Sequence, residues 1–110
     1  MAGSPRAGKE AGAGKVFDEA VAYWNALQAA GEIESVEHVL LRHHGGDLVG
    51  FVLLRGDPEK LGRISMAPEF QRLSMRAAAC LERVGVVSAL VDAGAVRAMG
   101  QWKEAIADLV

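Results

Sequence analysis

The chain has 110 residues, 51% hydrophobic and 24% charged, with a formal net charge of −2 and a pI near 5.9. That size suits one domain with one core, and the slight acidity argues against a nucleic-acid binder, which would need clustered Lys and Arg. No apolar run approaches the roughly 20 residues that span a bilayer, and no apolar segment follows Arg6 and Lys9 as in a secretory leader. Cys80 is the only cysteine, so an intrachain disulfide is excluded. A cytoplasmic protein is expected.

Residues 1–14 are rich in Gly and carry Pro5. Such a segment buries little apolar area against its ordering entropy, so a flexible N-terminal arm is expected, followed by a single domain over 15–110. Lys15 follows glycines, but Lys9 stands where a phosphate loop needs Gly, and Val16 where it needs Ser or Thr.

From Val16 to Ala30 the spacing predicts a helix. Val16, Ala20, Tyr23, Trp24 and Leu27 form its apolar stripe, and Gly31 stands where a left-handed cap belongs. Val36–His44 and Leu48–Arg55 read as a β-hairpin turning at Gly45-Gly46. A two-residue turn would set His44 opposite Asp47. It would also put Val39, Leu41, Leu48, Val52 and Leu54 on one face, and Val36, His38, Leu40, Arg42, Phe51 and Leu53 on the other. Neither face is polar throughout, so both need cover, and a second copy of the chain is the expected cover for the mixed face.

Asp57-Pro58 signals a helix start, and Pro68 breaks that helix at Ala67 and opens another. Phe70, Leu73, Ala77, Leu81 and Val84 continue its apolar face up to Gly85. Val86–Val91 then reads as a third strand, and residues 95–109 as a last helix with Val96, Met99, Trp102 and Leu109 on its stripe. The expected order is α-β-β-α-β-α.

The chemistry is sparse. His38 and His44 would lie about 20 Å apart along one strand and His43 on the opposite face, so within one subunit no single metal ion gathers them. Cys80 sits among alanines and reads as a packing residue. His38, mid-strand among apolar neighbours, is the candidate acid or base. Trp24, Arg42, Phe51 and Leu53 are the candidate pocket or interface residues.

Tyr23-x3-Leu27-x3-Gly31-x-Ile33, Gly46-Asp47-x2-Gly50-Phe51-Val52-Leu53 and Ala67-Pro68-Glu69-Phe70 resemble segments of YCII-related domains, in the dimeric α+β barrel superfamily. The resemblance runs from Phe17 to Val91. It implies an α+β, ferredoxin-like fold, with an antiparallel hairpin, a third strand and helices on one face. It also implies face-to-face pairing of two sheets in a homodimer. The strand that precedes the first helix in that superfamily is expected to be lacking here. Ala67 replaces the Asp of the family's Asp-Pro-Phe segment, so the His/Asp pair associated with those proteins has no counterpart. Two functions follow as expectations. One is a dimer that binds a small apolar ligand. The other is a small cofactor-free enzyme, YCII-like or monooxygenase-like, using His38. Neither requires a metal or cofactor, and neither involves nucleic acid or a membrane.

Overall fold

The structure, a computed structural model, describes residues 2–109. It is an α+β protein with elements β1 (Ala2–Pro5), α1 (Glu10–Ala29), β2 (Ser35–Leu40), β3 (Gly50–Arg55), α2 (Pro58–Met66), α3 (Pro68–Cys80), β4 (Leu81–Gly85) and α4 (Asp92–Ala105), then a 3-10 turn at Ala107–Leu109. The strands form one sheet in the order β2-β3-β1-β4, with every neighbouring pair antiparallel. None of the helices is long and apolar enough to cross a membrane.

The first strand is therefore present, contrary to the expectation from composition. β1 lies inside the sheet, with Ala2 opposite Phe51 and Gly3 opposite Gly50. A ladder is made of backbone groups, which Ala and Gly carry as well as Val does. Strand propensity spans only ~1 kcal/mol, so pairing on both sides outweighs it. The glycine-rich stretch that follows is a turn and a helix start, not an arm. Gly8 takes a positive φ of 77°, and α1 begins at Glu10. Within α1, a Cβ at Gly12 would stand 3.1 Å from the Cys80 sulfur, so glycine there permits close approach of α1 and α3.

The hairpin is shifted by one residue from the expected pairing. His38 lies opposite Val52, Val39 opposite Phe51 and Leu40 opposite Gly50. The strands stop at Leu40 and Gly50, and residues 41–49 form a loop instead of a tight turn. Only the first of the two turn glycines, Gly45, has positive φ. His44 accepts from the Gly46 N–H at Nδ1 (3.3 Å), and its Nε2 bonds the Leu48 carbonyl at 2.9 Å. Asp47 pairs with Arg83, not with His44. A slip of one residue moves a strand's whole side-chain set to the other face. Val36, His38, Val52 and Leu54 thus share the helix side, while Glu37, Val39, Phe51, Leu53 and Arg55 share the other.

The third strand expected at Val86–Val91 is instead β4, which takes over the last residues assigned to the preceding helix. Leu81 and Val84 still face the core, because β4 carries an extra residue between Glu82 and Gly85 relative to β1, with Arg83 at φ 53°. This bulge restores a three-residue spacing between inward side chains, the same spacing a helix would give.

The helix signals hold. Asp57 caps α2 by accepting from the Lys60 N–H at 3.2 Å, and Pro58 is at the first turn. Ala67 is extended ahead of Pro68. Gly31, at φ 76°, closes α1 with bonds from its N–H to Gln28 and from Glu32 N–H to Leu27. The core joins Val16, Trp24, Ile33, Ile64, Phe70, Leu73 and Ala77, with Val36, Val52, Leu54, Leu81 and Val84 against it. α1 and α3 are clamped by Arg76, which donates to both Glu19 carboxylate oxygens at 2.8 and 2.7 Å.

α4 stands apart. It buries no residue, and the radius of gyration is 16.4 Å, where a compact chain of this length would have about 13 Å.

Candidate functional site

A cavity of about 370 Å³ opens between the sheet and the α1–α3 pair. α1 contributes Ala13, Val16, Phe17, Ala20 and Trp24 at helical spacing, and α3 contributes Leu73 and Ala77. Val52 and Leu81 form part of the sheet side. Small residues make the space. Ala13, Ala20 and Ala77 present methyl groups where neighbouring turns present large side chains. Gly50, also on the wall, admits the Val39 carbonyl, 2.5 Å from where a Cβ would be.

The wall is apolar except at two titratable side chains, Glu10 and His38. His38 is exposed and stacks edge-on against the half-exposed Phe17, with ring centroids 5.8 Å apart. Leu40, also on the wall, is exposed too. The depth of the site belongs to Trp24, which is wholly buried. It packs against Tyr23 at 5.0 Å and Phe70 at 5.9 Å between ring centroids. Burial, reinforced by the charge of Glu69, pushes the Tyr23 phenol up from its ordinary value. The Arg76 hydrogen bonds hold the Glu19 carboxyl below the usual carboxylate range.

Of the residues singled out from sequence, Trp24, His38 and Phe51 all border this cavity, Phe51 from a strand position that alternates away from the helix side. His38 reaches it because of the register shift, on the helix side and not on the face expected to meet a partner. Leu53 lies on that other face and is absent from the cavity wall. Arg42 falls in the 41–49 loop, exposed and away from the wall. Glu10 was missed: it stands in a stretch whose composition hid a helix start. Its signal was the acidic residue in a first turn that α1 shows. Among the described residues no group of three or more His, Cys, Asp and Glu side chains converges as metal ligands would.

The chain matches no protein-family model, no curated protein and no solved structure.

Proposed function

We propose that this is a small ligand-binding protein of the ferredoxin-like, dimeric α+β barrel type, which takes a small apolar molecule between its sheet and the α1–α3 pair and pairs with itself. The observation that carries the proposal is the cavity, 370 Å³ of almost wholly apolar space reached past Phe17 and His38. That is within the range of small-molecule sites. The strand order β2-β3-β1-β4 supports the fold assignment. Self-association is supported by two apolar surfaces outside the core of one chain, the first half-buried and the second exposed. The sheet face bearing Val39, Phe51 and Leu53 contributes nothing to the core cluster. The α4 stripe of Val96, Met99 and Trp102 is 74%, 53% and 55% exposed. Contiguous apolar surface marks interaction sites, and a second copy supplies both complements at once.

Titration with indane, a compact hydrocarbon, tests the cavity. Saturable binding that Ala20→Phe abolishes without loss of folding is expected, and no saturable binding by the wild type overturns the reading. Light scattering tests the pairing: a monomer at micromolar concentration rejects it.

A second reading has one specific observation in its favour: His38 and Glu10 are the two titratable groups on the wall. In a cofactor-free enzyme, His38 would take or give the proton of a bound substrate. Turnover that survives His38→Ala unchanged rejects that role.

A further inference from the structure

Resting on the ligand-binding reading above, we infer that the ligand is a neutral molecule carrying a hydrogen-bond acceptor, such as a ketone or ester carbonyl, which meets the indole N–H of Trp24. Trp24 is 0% exposed and forms part of the cavity wall. Its Nε1–H has no hydrogen-bond partner in the described structure. Buried polar groups are nearly always paired, and each exception calls for an explanation. The indole is packed against Tyr23 and Phe70, and the residue borders the cavity at its buried end. A donor left unpaired there costs stability, and a ligand acceptor removes that cost on binding. Ser74 Oγ, the other buried orphan among the described residues, is not on the wall, so it gives no such handle.

The rest of the wall sets the ligand's charge. Neither Lys nor Arg lines the cavity, while Glu10 does. An anionic acceptor would be desolvated beside a carboxylate with no cation to pair it. A cation would have to reach Glu10 while leaving the indole N–H unmet. A neutral carbonyl on an apolar frame satisfies the N–H at no electrostatic cost.

Two probes of matched shape decide the matter: 1-indanone, which has a carbonyl, and indane, which has none. Binding is followed by calorimetry and by the indole N–H signals of ¹⁵N-labelled protein. The chain has two tryptophans, and Trp102→Phe identifies which signal belongs to Trp24. The expected result is that both probes bind, that only indanone moves the Trp24 N–H signal downfield, and that Trp24→Phe lowers the indanone-to-indane affinity ratio about tenfold. Binding of both with the same N–H shift overturns the acceptor inference and leaves the cavity reading standing. Binding of neither overturns the cavity reading and the inference with it. Tighter binding of indane-1-carboxylate than of indanone overturns the neutral class. Should Trp24→Phe fail to fold, the N–H shift in the wild type still decides.

Discussion

α3 and α4 are nearly matched helices with opposite fates. Both place apolar residues at helical spacing: Phe70, Leu73 and Ala77 on α3, Val96, Met99 and Trp102 on α4. The first three are buried to within 6% of complete and the second three are more than half exposed. The difference lies in attachment. α3 is pinned at both ends, by α2 through Ala67-Pro68 and by β4, which leads it into the sheet. α4 follows a run of residues, 86–91, that joins no strand. It is held near the sheet at its first residue, where Asp92 bonds Arg55 at 2.7 Å. Amphipathic spacing states that a face needs cover. Only the chain path decides whether the same subunit can supply it.

The comparison can be broken most directly by deleting an aromatic from each region. Trp24→Ala empties a wholly buried site and should cost about 3–5 kcal/mol in denaturant unfolding, whereas Trp102→Ala should cost within ~0.5 kcal/mol in dilute protein. Equal costs would mean that α4 packs on its own subunit. Gly50 offers a second, somewhat smaller effect. Its Cβ would stand 2.5 Å from the Val39 carbonyl oxygen, so Gly50→Ala should destabilise by about 1–3 kcal/mol, and an unchanged midpoint would refute the close approach of β2 and β3.

On α4, Trp102→Glu should leave the far-ultraviolet spectrum intact and raise the dissociation constant of the proposed dimer about tenfold or more in sedimentation. An unchanged constant would remove α4 from the interface. The α1–α3 clamp gives a smaller effect with a defined sign. The folded-state pKa of Glu19 is depressed, chiefly by its hydrogen bonds from Arg76. Its stabilisation is therefore complete above the ordinary glutamate value of ~4.3 and is lost as pH falls through the depressed value. Thermal melts from about pH 6 to about pH 3 should show Glu19→Gln losing less stability on acidification than the wild type. The smallest effect belongs to Arg83 and Asp47, an ion pair 73% and 76% exposed. Arg83→Ala should change stability by no more than ~0.5 kcal/mol.

Local signals were legible in the sequence where the physics is local. The Asp57-Pro58 cap, the break at Ala67-Pro68 and the left-handed Gly31 each depend on a few neighbouring residues, and each is found where its residues place it. The apolar face of α1 is likewise as read, with Trp24 at its centre. The candidate site was half legible: Trp24 and His38 were recognisable as residues, but the surface on which they meet was not. The hairpin register turns on whether the Gly45-Gly46 segment closes tightly or as a longer loop. The pairing of β3 with β1, which sets Gly50 against Gly3, is a contact between distant parts of the chain that no local pattern records.

Composition and spacing alone establish an α+β chain with an apolar hairpin, the apolar face of α1 and its Gly31 cap, the Asp57-Pro58 start of α2 and the break at Ala67-Pro68. The tertiary structure decided the rest. A central strand was made from Ala2–Pro5 because sheet pairing uses the backbone and is indifferent to weak side-chain propensity. Leu81 and Val84 were turned inward by a bulge, which imitates the helical spacing that their sequence suggests. The one-residue slip of the hairpin carried His38 from the face expected to meet a partner to the mouth of a cavity. A period of two makes such a slip decisive, because every side chain on the strand changes sides together.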